Sequence, residues 1–512
     1  MLEQFIKNRI IAQLPFEPNE GQIELLEKLG QFITSPTPRK AFILKGYAGT
    51  GKTSIMAALV YAMKELQQHI VLLAPTGRAA KVLSKYAHVP AYTIHKYIYR
   101  ARSKSALLEA KGNEVRGERQ VFSLRDNLHK NTLFIVDEAS MIANDGYRGA
   151  DNGVKFGSGN LLDDLVRFVY SSEGCSMLLL GDDAQLPPVR SSLSPALDAD
   201  YVAGYQLFIT EHTLTEVARQ ALDSGVLKNA TRLRPLALGC HQPLPLNGGE
   251  GRISGNRYRE TVKRLDGETV MWEILELGKD VQTVSGAELL EALEQAYNEV
   301  GEEETILLTR TNRRTNIYNQ GIRARILWRE EEISSGDRLM VSKNNYFWTE
   351  KYDDLPFLAN GDMLEVVRLR NERELYGYHF ADVQLRSLDY DWEIDAVLWL
   401  DTLRSDSPEA NNVMHRDLFW KIAEDFPEFQ RNKKQLTEAV YASPYYNALQ
   451  GRMAYAITGH KSQGGQWERV FIDPYIGGER REAKSEEARD FYRWLYTAIT
   501  RATKKVYFIK NN

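Results

Sequence analysis

The sequence predicts an α/β protein with two parallel-sheet domains, each of which carries a small inserted module. Three observations support this prediction. Short apolar runs alternate with helical patterns over the first 235 residues, a second series of the same kind starts near residue 304, and each series is interrupted by a segment of different character. Continuous apolar strands are typical of a parallel sheet that is covered by helices on both faces. At 512 residues the chain is also too long for a single hydrophobic core.

The first series predicts a domain formed by residues 1–98 and 131–235. Its four apolar runs each end in polar or turn residues: "AFILKG" (41–46), "HIVLLAP" (69–75), "TLFIVDE" (132–138) and "SMLLLGD" (176–182). Ligands of such sheets bind at the carboxyl ends of the strands, where these polar residues lie. The interruption, residues 99–130, contains "EVRGERQVF", which predicts a small hairpin around Gly117.

The second series predicts a domain formed by residues 236–344 and 452–512. Its apolar runs are "ETILLTRTN" (304–312), "MAYAITGHKSQGG" (453–465) and "KKVYFIK" (504–510). The interruption, residues 345–451, holds short alternating runs: "DMLEVVRLR", "YHFADVQLR" and "EIDAVLWL". Alternation of apolar and polar residues favours the strands of a small antiparallel β-barrel.

The composition argues against a membrane-spanning or secreted protein. The chain is 43% hydrophobic and 26% charged, its formal net charge is −4, and it holds no apolar stretch of 18 residues. We therefore expect no membrane span, and the first residues lack the apolar segment of a secretory signal. The two cysteines, Cys175 and Cys240, cannot build a disulfide framework or a zinc site, and we expect both to be buried small hydrophobic residues. These features predict a cytoplasmic protein.

Charged residues are unevenly distributed along the chain, although the net charge is small. Residues 310–329 hold six arginines and no acidic residue, and "EEE" follows at 330–332. Two interpretations stay open for this segment. It forms either the solvated face of a helix or a surface that faces nucleic-acid phosphates.

The segment "GYAGTGKT" (46–53) matches the phosphate-binding pattern G-x-x-x-x-G-K-[ST]. Glycines let the backbone wrap so that its N–H groups point at phosphate oxygens, and the following helix adds its positive end. Lys52 is predicted to reach the β- and γ-phosphates of ATP, and the Thr53 hydroxyl to bind Mg²⁺. The apolar strand before the pattern and the helical pattern after it are the context that this motif requires.

Two further strand ends supply the complementary groups. In "FIVDEAS", Asp137 is placed to hold Mg²⁺ through water and Glu138 to orient and deprotonate the attacking water. In "LLLGDDAQLPPV", Gln185 is a candidate sensor of the γ-phosphate. Together with the phosphate loop, this set predicts hydrolysis of ATP.

The ordered set of motifs resembles superfamily 1 helicases, specifically the branch of RecD and the phage Dda helicase. The matching segments span residues 19–502 in the family's order: "NEGQ", "GYAGTGKT", "APTGRAAKVL", "YTIHKYI", "FIVDEAS", "GDDAQLPPV", "LTEVARQ", "TGHKSQGGQW" and "YTAITRA". The resemblance implies two RecA-like P-loop domains and an ATP-dependent DNA helicase. The two inserted modules carry no motif that matches.

The resemblance also implies roles at the nucleotide. Gln22 would read the adenine edge, and Arg219 and Arg501 would act as arginine fingers on the γ-phosphate. A charge-rich transition state needs cations, and guanidinium offers planar bidentate donors, so the chemistry agrees with those assignments. The remaining nucleotide-binding residues are implied to be Gly46, Gly49, Thr50, Gly51 and Gly464. Because Arg501 belongs to the second domain, hydrolysis is expected only when the domains close.

A second implied set contacts single-stranded DNA through its backbone phosphates. From the first domain these residues are Thr76, Arg78 and His95, and from the second they are Thr458, His460, Lys461 and Ser462. Short hydroxyls and amide groups suit backbone phosphates, which position a strand without reading its sequence. Tyr92, Tyr346 and Trp467 are candidates for stacking on bases, with a core role left equally open for each.

The resemblance implies 5′→3′ translocation by a monomer on single-stranded DNA and at duplex junctions. The hairpin near residues 114–122 is the candidate wedge that splits the duplex, with Phe122 as the candidate contact residue. An alternative is a DNA-stimulated ATPase that remodels protein–DNA complexes without separating strands, because its motif set would be the same. A nucleotide-gated binding module without hydrolysis is disfavoured by the intact catalytic set, and no acidic cluster supports a nuclease.

Overall fold

The computed structural model describes residues 2–101, 120–144, 154–189, 191–218, 223–239, 274–352, 355, 357–475 and 485–510. The strands of these residues are numbered here in chain order: β1 Lys40–Gly46, β2 Ile70–Ala74, β3 Ala91–Thr93, β4 Tyr99–Ala101, β5 Gln120–Leu124, β6 Leu133–Val136, β7 Val154–Phe156, β8 Ser176–Gly181, β9 Phe208–Leu214, β10 Val281–Ser285, β11 Thr305–Thr309, β12 Arg338–Val341, β13 Met363–Leu375, β14 Tyr378–Ser387, β15 Glu393–Trp399, β16 Leu449–Met453, β17 Ala456–Thr458, β18 Trp467–Ile472 and β19 Ala502–Lys510.

The α-helices are numbered in the same way: α1 Leu2–Gln13, α2 Glu20–Thr34, α3 Lys52–Glu65, α4 Gly77–Ala87, α5 Ile94–Ile98, α6 Leu161–Tyr170, α7 Ala199–Ala203, α8 Gly225–Ala237, α9 Leu289–Val300, α10 Asn312–Arg325, α11 Pro408–Ala423, α12 Lys433–Tyr441 and α13 Ser485–Ile499. Local sequence sets several of their starts. Asn19 and Gln22 form a reciprocal capping box before α2, and the Thr76 hydroxyl accepts the Ala79 N–H to cap α4. None of the helices within the described ranges is long and apolar enough to cross a membrane.

The first sheet has six parallel strands in the order β3-β2-β6-β8-β1-β9. All four strands predicted for this domain are present in it. Residues of β1, β2, β6 and β8 are buried on both faces, which is the burial expected of a parallel sheet between two helical layers. The carboxyl ends of these strands therefore meet at one edge of the sheet.

The second sheet has five parallel strands in the order β10-β19-β18-β11-β17. It contains the three segments predicted for the second domain. The prediction of two parallel-sheet domains is confirmed. The arginine-rich segment lies mainly on α10, and Arg314, Arg323 and Arg329 form ion pairs with the buried carboxylates of Asp473 and Asp337. Half of its six arginines are thus held by structural ion pairs.

The barrel insert is also confirmed. Strands β12-β13-β14-β15-β16 close into a barrel that is antiparallel except where β15 runs parallel to β16. Its first strand, 338–341, precedes the predicted insert of 345–451, and its last strand, 449–453, starts inside that insert and ends two residues beyond it. The helices α11 and α12 enter between β15 and β16 and pack with Trp399 and Phe380 in a separate apolar cluster. The sequence analysis did not predict these helices.

The insert of the first domain contributes β4 and β5 to a three-stranded sheet of order β4-β5-β7, whose strand β7 lies outside the predicted bounds of 99–130. Most of the predicted hairpin, residues 102–119, lies outside the described residues. Phe122 on β5 is only 1% exposed and packs on Phe156. It also contacts Tyr346 and Phe357, which follow β12 and precede β13 of the barrel, at ring-centroid distances of 4.9 and 6.0 Å. The two inserts therefore share an aromatic contact.

Of the two cysteines, Cys175 is buried with a free thiol, as expected. Its thiol faces the His129 carbonyl at 3.5 Å. Cys240 lies outside the described residues.

Candidate nucleotide cleft and strand-side surface

The phosphate loop joins β1 to α3, as the sequence predicts. Gly51 has φ = 86°, a left-handed conformation that favours glycine, and it starts α3 so that Lys52 and Thr53 occupy the first turn. The Thr50 hydroxyl donates to the Tyr47 carbonyl at 2.8 Å. Lys52 folds back into the loop, where its ammonium contacts the carbonyls of Gly46 and Tyr47. The loop is thus preformed, and two of its own carbonyls hold the lysine ammonium.

The two predicted acidic residues follow β6 directly. The Glu138 N–H donates to Asp137 Oδ1 at 2.9 Å, and Glu138 has φ = 51°, which is uncommon for a residue with a side chain. Burial raises the pKa of both carboxyls, and Arg501 offsets part of that rise at Glu138. A carboxylate with a raised pKa in a strained backbone position is typical of a group that accepts a proton.

Gln185 lies in the turn after β8, beside Asp182 and Asp183. Its amide nitrogen faces Asp182 Oδ2 at 3.5 Å, while its Oε1 is buried without a hydrogen-bond partner. Asp183 Oδ1 is likewise buried and unpartnered. Buried polar atoms without partners are rare in native structures, and their presence here fits a site that binds a polar ligand.

Arg501 reaches this cleft from the second domain. It is 4% exposed, and its guanidinium donates to the carbonyls of Thr497 at 3.1 Å and Gly465 at 3.3 Å. One terminal nitrogen lies 3.9 Å from Glu138 Oε1. The structure therefore brings Arg501 next to the predicted base, across the domain boundary. The other predicted finger, Arg219, lies outside the described residues.

Hydrogen bonds between the domains flank Arg501. The Tyr496 hydroxyl accepts the Ala48 N–H at 2.9 Å and donates to Asp182 Oδ2 at 2.8 Å. The Leu186 N–H donates to the Thr497 hydroxyl, and the Gln463 amide donates to the Leu186 carbonyl. We call the phosphate loop, Asp137, Glu138, Gln185 and Arg501 the nucleotide cleft.

Gln22 supports the cleft from beneath. It is 1% exposed, its amide nitrogen donates to the Thr50 carbonyl at 2.9 Å, and its amide oxygen accepts the Asn19 N–H at 3.0 Å. The structure thus places Gln22 against the phosphate loop. Reading of adenine by this residue stays a prediction.

A second surface lies between α4, α5, the segment after β17, and two turns of the barrel. We call it the strand-side surface; it comprises Thr76, Arg78, Lys96, Lys461 and the barrel turns 359–362 and 387–390. Arg78 forms an ion pair with Asp389 Oδ1 at 3.5 Å and stacks on Trp467 at 4.9 Å. Lys96 lies 3.6 Å from Asp362 Oδ2, and both carboxylates are buried.

His95, the other strand-contact candidate on α5, adds no positive charge to this surface. It packs against the rings of Tyr99 and Phe156, at centroid distances of 5.7 and 5.2 Å. Burial lowers its pKa to about 4, so the imidazole is neutral at pH 7. Any contact of His95 with a phosphate would therefore be a neutral hydrogen bond.

The predicted residues after β17 divide into two groups. His460 and Lys461 are exposed, and the Lys461 ammonium donates to Asn360 Oδ1 of the barrel at 2.7 Å. Thr458 is half-buried at the end of β17, and Ser462 is fully buried with its hydroxyl donating to the Gly459 carbonyl at 2.8 Å. The structure does not bring the Ser462 hydroxyl to the surface.

Gly464 lies at the boundary between the two regions. Its φ is 76°, and a Cβ there would be 2.6 Å from Ala79 Cβ and 3.1 Å from the Thr76 hydroxyl oxygen. The second domain therefore rests on the start of α4 at this residue. Only a residue without a side chain allows so close an approach.

The aromatic candidates also separate. Tyr92 is 46% exposed beside Tyr97, whereas Trp467 is buried beneath Arg78. Tyr346 lies in the aromatic contact between the inserts, together with Phe122. Of these rings, Tyr92 alone has a face open to a base in the described structure.

Sequence reasoning missed Asp182, Tyr496 and Thr497, which hold the cleft together. Tyr496 is the first residue of the "YTAITRA" motif, five residues before Arg501, so its position within a functional motif was visible in the sequence. The long-range partners of its hydroxyl could not be read from the sequence. No cluster of three or more metal-ligating side chains occurs among the residues that the structure describes.

Two family models match the chain. Residues 17–150 match an AAA domain, and residues 453–509 match a UvrD-like helicase C-terminal domain. The first match covers the phosphate loop and Glu138, and the second covers Gln463, Tyr496 and Arg501. Each matched segment thus contributes residues to the nucleotide cleft.

Among curated proteins, the chain is 23% identical to an uncharacterized protein of Acanthamoeba polyphaga mimivirus, over 96% of this chain and 99% of that protein. It is 24% identical to an uncharacterized protein of Methanocaldococcus jannaschii and 28% identical to the conjugal transfer protein TraA of Rhizobium radiobacter. Those matches cover 96% and 44% of this chain, but only 38% and 17% of the two larger proteins.

Among solved structures, the chain is similar to a Bacteroides Pif1 helicase in complex with ADP-AlF3 and ssDNA, with a TM-score of 0.44 and 14% identity over 95% of this chain and 91% of that one. It is also similar to the Pif1 helicase of Candida albicans, with a TM-score of 0.36 and 14% identity over 100% and 94% of the two chains. The two family matches confirm the resemblance that the motifs predict: the chain carries the paired domains of an ATP-dependent DNA helicase of superfamily 1.

Proposed function

We propose that the chain translocates 5′→3′ on single-stranded DNA and separates duplex strands, with ATP hydrolysis confined to the closed arrangement of its two domains. The observation that carries this proposal is the 3.9 Å approach of Arg501 on the second domain to Glu138 on the first. A finger and a base that come from different domains meet only when the cleft closes. Hydrolysis and domain movement are thereby coupled.

The residues of the nucleotide cleft fit ATP with Mg²⁺. The preformed loop and the first turn of α3 supply the N–H groups that would donate to the phosphates, and the unpartnered Gln185 Oε1 and Asp183 Oδ1 would accept from water bound with the nucleotide. Thr53 and Asp137 would hold Mg²⁺, which would neutralise phosphate charge when bound. Lys52 would leave the carbonyls of Gly46 and Tyr47 and turn toward the phosphates.

Several residues of the chain each have a separate role in ATP hydrolysis. Glu138 accepts a proton from the attacking water, and its raised pKa suits that task. Gln185 orients the attacking water, which can donate to its free Oε1, or senses the γ-phosphate through its amide N–H groups. Arg501 and, by resemblance, Arg219 stabilise the negative charge that develops on the transferred group.

We assign strand binding to the strand-side surface. Arg78, Lys96 and Lys461 place three cations there, and Tyr92 adds an exposed ring for stacking on a base. Gly464 of the second domain closely approaches Thr76 of this surface, so the domains touch there. Opening and closing at that contact would alternate two grips on the strand.

The test is strand separation on duplexes that carry either a 5′ or a 3′ single-stranded tail. We expect separation only with the 5′ tail, and none with the Glu138→Gln variant. Separation only from the 3′ tail would overturn the proposed direction. ATPase activity without separation of either substrate would overturn strand separation itself.

The wedge is tested separately. Because Phe122 is buried within the aromatic contact, its ring is not free to meet a base pair in this structure, and the wedge proposal moves to residues outside the described part. Replacing residues 104–117 by a short glycine–serine turn retains the paired residues Ala101 and Phe122. We expect DNA-stimulated ATPase to persist and strand separation to fall sharply.

One alternative function is favoured by the same burial of Phe122. A translocase that displaces protein from DNA without separating strands needs the motor but no exposed wedge. It predicts that the variant lacking residues 104–117 still displaces streptavidin from a biotinylated single strand at the native rate. The native protein would then separate neither tailed duplex.

A further inference from the structure

We propose that Tyr496 is a positioning residue whose hydroxyl latches the second domain onto both the phosphate loop and the strand end that carries Gln185. The inference rests on the proposed ATP-driven closure of the domains, and it names the side chain that bonds the second domain to the first in the closed arrangement. Its basis is the pair of hydrogen bonds that the hydroxyl makes across the domain boundary, to Ala48 N–H and to Asp182 Oδ2.

The position of the Tyr496 hydroxyl supports this role. The side chain is 1% exposed, and burial raises its pKa well above the ordinary value, so the hydroxyl keeps its proton at physiological pH. It can therefore donate to Asp182 while it accepts from Ala48. Both partners belong to the first domain, but they lie on different loops of it, after β1 and after β8.

Asp182 extends the latch to the γ-phosphate sensor. Its carboxylate accepts the Ala184 N–H at 3.0 Å and lies 3.5 Å from the Gln185 amide nitrogen. These contacts shape the turn that carries Gln185. Removal of the Tyr496 hydroxyl would leave the buried Asp182 carboxylate with one donor fewer, which costs more than the loss of a solvated hydrogen bond.

The latch is also tied to Arg501. The next residue, Thr497, accepts the Leu186 N–H through its hydroxyl and accepts the Arg501 side chain through its carbonyl. One turn of α13 thus holds the first domain and the finger together. When the Tyr496 hydrogen bonds form, Arg501 is brought next to Glu138. When they break, Arg501 moves away from Glu138 together with α13.

The test is the Tyr496→Phe variant, which removes the hydroxyl and keeps the ring. We expect DNA-stimulated kcat to fall about tenfold, the equivalent of one strong hydrogen bond, with little change in KM for ATP. Steady-state ATPase with and without oligo-dT measures both values. A purely structural role would lower stability and leave the ratio of stimulated to basal kcat unchanged.

The matched control is Tyr507→Phe on β19, because that hydroxyl has no hydrogen-bond partner within the described residues and its ring stacks on Phe471. A second variant, Thr497→Val, removes the acceptor for the Leu186 N–H at nearly constant volume. We expect it to act in the same direction. It keeps the test decisive if Tyr496→Phe folds poorly.

Amide hydrogen exchange of residues 46–53 gives a readout that does not depend on ATPase activity. In Tyr496→Phe we expect faster exchange of this segment, because the Ala48 N–H loses its acceptor. Native exchange together with a native stimulation ratio would overturn the latch. Faster exchange in a chain whose native form shows no DNA-stimulated ATPase would support the latch and overturn the proposed function.

Discussion

The nucleotide cleft and the strand-side surface both lie where the two domains meet, but their contacts differ in kind. In the cleft, the domains are joined by hydrogen bonds through Tyr496, Thr497 and Gln463, and Gln185 Oε1 and Asp183 Oδ1 have no hydrogen-bond partner among the described residues. On the strand side, Arg78 and Lys96 are already paired with barrel carboxylates. The cleft is assembled and open to a ligand, whereas the strand-side cations have partners that a strand must replace.

This difference separates two kinds of substitution. A change in the cleft removes a group that acts on the reaction and should therefore reduce kcat by a large factor. A change on the strand side alters a competition between carboxylates and phosphates and should shift strand affinity modestly. The expected effects below run from the first kind to the second.

The largest effect is expected for Glu138→Gln. The amide keeps the shape of the side chain but cannot accept a proton from water, so kcat should fall by about 10²–10⁴-fold while ATP still binds. Steady-state ATPase and nucleotide titration measure the two properties. The control is Glu173→Gln in an exposed turn of the same domain. Near-native turnover in Glu138→Gln would remove this residue from the mechanism.

A comparable loss is expected for Arg501→Ala. The guanidinium approaches Glu138 from the other domain, and loss of an arginine finger costs on the order of 10³-fold in kcat. Single-stranded DNA should still bind, because the strand-side cations are unchanged. Arg501→Lys keeps the charge without the planar fork and should recover only part of the activity. Full DNA stimulation in Arg501→Ala would contradict hydrolysis confined to the closed cleft.

A smaller effect is expected for Gly464→Ala, which lies between the two regions. The added methyl would approach Ala79 within 2.6 Å at a φ of 76°, so the closed contact with α4 should be disfavoured. A left-handed backbone conformation alone costs an alanine about 1 kcal/mol relative to glycine, and the close contact adds to it, so we expect roughly a tenfold loss of DNA-stimulated kcat.

Gly321→Ala on α10 is the control for this substitution, since a Cβ there meets no atom within 4 Å. Helical alanine is favoured over glycine, so the control should fold at least as well as the native chain. Native activity in Gly464→Ala would show that the contact with Thr76 and Ala79 is not needed during turnover.

The comparison also shows what the sequence could predict. The nucleotide cleft follows from segments that are continuous in the chain, because a strand, a glycine turn and a helix start place Lys52, Thr53, Asp137 and Glu138 at one sheet edge. Apolar patterning likewise predicts four of the six strands of the first sheet, three of the five strands of the second sheet and the three central strands of the barrel.

The strand-side surface depends instead on contacts between distant segments. Arg78 meets Asp389 and Lys461 meets Asn360, and each pair is separated by about a hundred residues or more. Patterning cannot reveal such pairs, nor the burial of Ser462 and Phe122. The helices α11 and α12 were also missed, since they interrupt a barrel whose alternating strands dominated the prediction.

The smallest effect, and the most direct test of the competition, is expected for Asp389→Asn. The carboxylate is almost fully buried, and burial raises its pKa although Arg78 and Lys81 oppose that rise. The amide cannot hold the Arg78 guanidinium through charge, so Arg78 should become available to a DNA phosphate. We expect single-stranded DNA to bind roughly fivefold more tightly, about 1 kcal/mol, in fluorescence anisotropy with oligo-dT.

Asp395→Asn, an exposed carboxylate of the same barrel, should leave the affinity unchanged. Weaker binding in Asp389→Asn would mean that the ion pair holds the barrel in a position that the strand requires, and the two regions would then be alike in needing their domain contacts intact.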